Sequence, residues 1–160
     1  MVINAEQQRA ALNVAGNEML DLCQSQLAKA KDAFINNDSE LAEEVINNES
    51  RVNALDLKIE KDCERFIALY NPVATDLRFI MALRKINIDL ERIGDHAYGI
   101  AKYVVDEEVN FDSTLINALK MEKMYATIES MFDDITSAYE NELSLDARKV
   151  FKKDKSLDKL

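Results

Sequence analysis

The sequence predicts an all-α protein: an antiparallel three-helix bundle, spectrin-like in build, followed by part of a second such unit. Three observations carry this. The chain has 3 Gly and 1 Pro among 160 residues, so helix breakers are scarce. Its apolar residues recur at three- and four-residue steps through long segments, the period of a helix with one buried face. The pattern also repeats itself: a shift of 105 residues carries Met19 onto Met124 and Leu27 onto Phe132.

The elements follow in order. From about residue 4 to 36, Leu12, Met19, Leu20, Cys23, Leu27, Ala30 and Phe34 form one apolar stripe. INNDSE interrupts it, and Asn37 with Glu40 three residues on has the form of a capping box that opens the second helix. That helix carries Leu41, Val45, Ile46, Val52, Leu55, Ile59, Cys63, Phe66, Ile67 and Tyr70, and ends at Asn71-Pro72. The third spans about 73 to 106, roughly 50 Å long. Its seam is Phe79, Leu83, Ile86, Leu90, Ile93, Ala97, Ile100 and Val104. DEEVNFDST is the next break, with Asp112 or Ser113 as cap of a fourth helix over 113 to 141. ENELS then leads to a fifth from about 145 to the end. Short connections make neighbours antiparallel.

The same shift places Cys23 on Ile128, Ala30 on Ile135, Phe34 on Tyr139, Val45 on Val150, Ile46 on Phe151 and Leu55 on Leu160. Two amphipathic helices match partly by shared period, but here the hairpin loop falls in register too. The expected units are therefore 1–106, one three-helix repeat, and 107–160, two helices of a second. A sixth helix is expected to follow.

Composition narrows the function. The net charge is −10, which disfavours a nucleic-acid surface. The locally basic tail ARKVFKKDKSLDKL reads as a solvated helix face. Cys23 and Cys63 lack CxxC or histidine company and read as small buried residues in a reducing compartment. No apolar run reaches the roughly 20 residues that span a bilayer, and MVINAEQQRA has no signal-peptide pattern. Cytoplasm is the expectation.

Chemistry concentrates in DLERIGDHA, residues 89 to 97. Glu91 and Asp95 stand four apart, on one helix face, where like charges repel by a few tenths of a kcal/mol. Measured from the seam, Glu91 lies about 120° round the helix and Asp95 about 160°, both outward. An inward di-iron site is thereby disfavoured, and His96 lacks the Glu three residues before it that such a site uses. On spacing alone the plain reading, a solvated acidic face, is preferred. Ile80, Met81, Ile88 and Tyr98 on the same outward stripe weaken it and point to a contact surface or ligand site. An all-carboxylate site suits hard cations such as iron, manganese, magnesium or calcium. Glu49, Asn53 or Asp56 of the antiparallel second helix are positioned as further ligands. His96 reads as a local hydrogen-bonding group, and mid-helix Gly94 as a point of close approach. Asp76 suits the first turn of its helix and is offered Arg78 as a partner.

NPVATDLRFIMALRKINIDLERIGDHAYGIAKYV resembles the PhoU family of phosphate-regulation proteins. The likeness rests on Pro72 to Arg78 and on Asp89 to Asp95, and weaker similarity runs from about residue 12 to the end. It implies two three-helix bundles in tandem and a regulator without catalytic turnover. The expected partners are a phosphate ABC transporter, through its ATPase, and a sensor histidine kinase. It implies metal held at Glu91 and Asp95, with iron, zinc, manganese or magnesium as candidates, and it overturns the preference for a merely solvated face. A homodimer, domain-swapped through the two C-terminal helices, is one expectation; their folding onto the first bundle is the other. Two alternatives stand beside the regulator: the cytoplasmic domain of a sodium–phosphate cotransporter, and a carboxylate-metal hydrolase.

Overall fold

The computed structural model describes residues 4–107, 113–141 and 143–160. Helices α1 (Ala5–Asn36), α2 (Ser39–Tyr70) and α3 (Ala74–Glu107) run up, down and up, each packed on the other two. α4 (Ser113–Ala118), α5 (Met121–Glu140) and α6 (Ser144–Leu157) follow. Among the described residues there is no strand.

The long helices start and stop through asparagine and aspartate. Asn4 accepts from the Gln7 amide at 2.8 Å and caps α1. Asn37 ends α1 in the left-handed region (φ 52°), its N–H donating to the Ala33 carbonyl, and Asn71 ends α2 likewise (φ 44°). The expected cap is thus displaced by one residue, without the reciprocal glutamate of a capping box. Asp38, whose carboxylate accepts from the Leu41 amide at 3.0 Å, caps α2, while Asn37 closes α1. With both residue types suited to caps and to left-handed φ, the pattern alone does not order them.

Two clusters fill the bundle. The larger holds Leu12, Met19, Leu20, Ile59, Phe66, Ile80 and Leu83, all essentially out of solvent. Each such side chain contributes roughly 1.5–3 kcal/mol by burial. The smaller, toward the α1–α2 turn, is built from Ala30, Ala33, Ala42, Val45, Ala97, Ala101 and Val104, small residues that let the helices approach closely. Gly94 serves the same end: a Cβ there would meet Val52 Cγ1 at 2.9 Å. Cys23 and Cys63 are buried and unbridged, and the Cys23 thiol donates to the Leu90 carbonyl at 3.2 Å.

The buried stripe of α3 differs from the predicted seam. It runs Ile80, Leu83, Asn87, Leu90, Gly94, Ala97, Ala101, Val104, while Phe79, Ile86, Ile93 and Ile100 are only half-buried. Ile80 is core rather than outward. The wall-facing direction is rotated by roughly 40° at 100° per residue. Small and polar residues take the tightest positions there, which an apolar count cannot see.

The C-terminal helices fold onto this bundle. Phe132 is buried against the larger core, with Ile128, Ile135 and Tyr139 beside it. Lys31 donates to Glu129 at 2.6 Å and Gln24 to Asp133 at 3.0 Å across the α1–α5 seam. α6 lies on α5 through Lys153, which reaches Asp134 and Ser130 Oγ at 2.6 Å. The fourth helix is not continuous over 113 to 141. Lys120 adopts φ 53° and divides α4 from α5. Leu119 and Lys120 are sound helix formers, so propensity conceals this break. Of the expected caps, Asp112 lies outside the described residues, as does the side chain of Ser113.

Candidate functional site

Rotation of the α3 stripe places Glu91 at the α2–α3 seam. Its side chain is half-buried, whereas Asp95, one turn on, is exposed. From α2, Glu49 and Asp56 face the same seam, also half-buried. Glu91 senses the other three carboxylates. Burial first, then Asp95, Asp56 and Glu49, pushes the Glu91 carboxyl above its ordinary range, with Arg92 opposing. Burial and Asp95 do the same to Glu49, against the hydrogen bond from Asn53. Burial and Glu60 raise Asp56, against the hydrogen bond from Asn87.

Arg92 turns toward Asp89, 3.9 Å away, and both are well exposed. Glu49 Oε1 accepts from Asn53 Nδ2 at 3.0 Å, while Oε2 is buried without a hydrogen-bond partner. Asn87, 3 % exposed, donates to Asp56 Oδ1 at 2.6 Å and to its carbonyl at 3.2 Å, and its own Oδ1 is buried and unpartnered. Unpaired buried acceptors of this kind cost about 1–3 kcal/mol each. A proton or a cation is the complement they lack.

The predicted residues are therefore partly assembled. Glu91 and Asp95 share the cleft with Glu49 and Asp56, as the antiparallel placement anticipated; Asn53 acts on Glu49 instead. His96 is exposed. Sequence reasoning missed Asn87. The signal was present, since Asn87, Glu91 and Asp95 stand four apart on one line of α3. Below them a small cavity of about 70 Å³ is lined by Asp56, Glu60, Arg84, Asn87 and Ile88, with Arg84 3.4 Å from Glu60. Among the described residues no three His, Cys, Asp or Glu side chains already stand in a metal-holding group. The donor set fits a hard cation in chemistry, through its oxygens and the orphaned Glu49 Oε2, without forming a finished cage.

The comparisons agree with this architecture. The PhoU domain family matches residues 17–104, more than half of the chain. The phosphate-specific transport system accessory protein PhoU homolog of Aquifex aeolicus is 36% identical over 143 residues, covering 89% of this chain and 64% of that protein. The Escherichia coli phosphate-specific transport system accessory protein PhoU is 31% identical over 137 residues, 86% of this chain and 56% of its own length. This chain thus spans less than two thirds of either relative. Crystal structures of PhoU from Pseudomonas aeruginosa (TM-score 0.89, 26% identity) and of the phosphate transport system regulatory protein PhoU from Streptococcus pneumoniae (TM-score 0.83, 29% identity) superpose on 98% of it. They are covered to 74% and 72% of their own lengths. Among the described residues no helix is long and apolar enough to cross a membrane. By family match, identity and fold, the chain belongs to the PhoU family.

Proposed function

We propose that this chain is a non-catalytic cytoplasmic regulator of phosphate transport. It docks on the ATPase of a phosphate ABC transporter and on a sensor histidine kinase, and a cation bound in the α2–α3 cleft braces the docking face. Residues 107–160 are, in this reading, two helices of a second repeat, and the protein works as a homodimer. The observation that carries the metal reading is the approach of Glu49, Asp56 and Glu91, each with a raised proton affinity, beside Asp95, together with a buried, unpartnered Glu49 oxygen. Bound there, iron, zinc, manganese or magnesium would supply positive charge and join α2 to α3 through Glu91 and Asp95, with Glu49 and Asp56 in support. The names of the relatives, accessory and regulatory proteins, favour a regulator over a hydrolase.

The test is the double variant Glu91→Ala with Asp95→Ala. Elemental analysis should show loss of most bound metal while circular dichroism keeps full helicity. Unchanged metal in the variant would place the site elsewhere. Co-purification with the transporter ATPase should weaken in parallel.

A further inference from the structure

Toward the N-terminal end of α3, where α1, α3 and α5 meet, lies a cavity of about 340 Å³. It is within the range of small-ligand sites, which begin near about 300 Å³. Its polar lining is Arg9 and Asn13 from α1, Thr75 and Arg78 from α3, and Tyr139 from α5. Phe79 and Leu83 are among its apolar walls. No carboxylate lines it, in a protein whose net charge is −10.

The Arg9 guanidinium lies over the Phe79 ring, 4.6 Å from its centroid, with Nε 3.3 Å from Asp76. Asp76 takes Arg9 as its partner rather than Arg78. Arg78 donates to Thr75 Oγ1 at 3.3 Å, which leaves the Thr75 hydroxyl proton to offer elsewhere. Tyr139 Oη is buried and has no hydrogen-bond partner. It sits hard against Gly16, where a Cβ would lie 2.2 Å away. Burial pushes the phenol up to about 12, so it remains a donor at neutral pH.

We propose that this cavity binds a phosphoryl oxyanion, free or as a monoester, between Arg9, Arg78, Thr75 and Tyr139, and that binding clamps α5 onto the bundle. Donors arriving from three helices surround the space, which suits a tetrahedral oxyanion better than a planar carboxylate. The two guanidiniums supply charge-assisted bonds. The apolar walls leave room for the organic part of an ester. The site is separate from the carboxylate cleft and does not depend on the metal reading.

Calorimetry on the full chain tests it, with inorganic phosphate and phenyl phosphate as probes and acetate as control. Saturable binding of either phosphate is expected, about tenfold or more weaker in Arg78→Gln and several-fold weaker in Tyr139→Phe. Tyr139→Phe removes an unpartnered hydroxyl, so the unliganded variant should melt no lower than the parent. Tighter phenyl phosphate assigns the site to esters, and equal or tighter inorganic phosphate to the free anion. Phosphate should also slow amide exchange in α5. The proposal is overturned if neither phosphate saturates, if acetate binds as well, or if neither variant changes the affinity.

Discussion

The α1–α2 hairpin and the α5–α6 hairpin carry the same amphipathic pattern and meet different fates. In the first, α3 closes over both helices and Val45 is fully buried. In the second, Val150 at the matching position is half-buried, and Phe151, matching Ile46, is 68 % exposed. α6 has no buried residue at all. Periodicity declares which face of a helix wants cover; it does not say whether a third element provides it. α5 escapes this fate through α1, which takes Phe132, while among the described residues α6 packs chiefly on α5.

The largest expected effect comes from breaking that contrast at its extremes. Phe66→Ala empties a site that is 1 % exposed and should cost about 3–5 kcal/mol of stability. Phe151→Ala should change urea unfolding of the same chain by less than about 0.5 kcal/mol. Comparable losses from the two would mean that α6 is buried in solution, against a second copy.

A smaller effect distinguishes the two buried glycines. Gly94→Ala forces a methyl to 2.9 Å from Val52 Cγ1, inside the bundle. Val52 is β-branched and stiff, so the helices must part, at about 1–3 kcal/mol, offset by up to about 1 kcal/mol of helix propensity. Gly16→Ala meets Tyr139 Oη at 2.2 Å and Cζ at 2.9 Å, with Leu83 Cδ1 at 3.0 Å, so α5 has to give most. Hydrogen exchange should therefore quicken throughout α1–α3 for Gly94→Ala, and selectively in α5 and α6 for Gly16→Ala. Uniform loosening in both would mean that α5 and the bundle unfold as one unit.

The contrast also shows what the residues disclose in advance. Three long helices, their short turns and the close approach at Gly94 were legible, because period, caps and a mid-helix glycine each have one local cause. The rotation of the α3 stripe by roughly 40° was not. It depends on Ala97, Ala101 and Asn87 fitting where larger residues would not, which is a property of the facing helices. The break at Lys120 was invisible because Leu119 and Lys120 are sound helix formers. In the cleft, the pairing of Glu91 with Asp95 was legible from their spacing, and the approach of Glu49 and Asp56 from the antiparallel turn. The half-burial of Glu91 was not, since it follows from the rotated stripe.

The smallest expected effect lies in that cleft and concerns pH. Glu49, Asp56 and Glu91 bind their protons more tightly in the folded chain than at their ordinary values of 4.5, 3.8 and 4.5. Proton uptake therefore favours the folded state: these groups add stability as pH falls from neutral through their raised values. The gain is complete only below the ordinary values, where the unfolded chain is protonated too. Asp146, lowered by Lys149, works in the opposite sense, so the whole-protein profile mixes both. A difference measurement isolates the cleft. Glu91→Gln should exceed the parent in urea midpoint at pH 7, by the equivalent of a few tenths of a kcal/mol, and the gap should close by pH 4. Saturating manganese at pH 7 should raise the parent more than the variant, because the cation answers the same repulsion that the substitution removes. A gap that stays constant with pH would mean that the carboxylates of α2 and α3 do not feel one another, and the bundle would then have no electrostatic reason to take up a cation there.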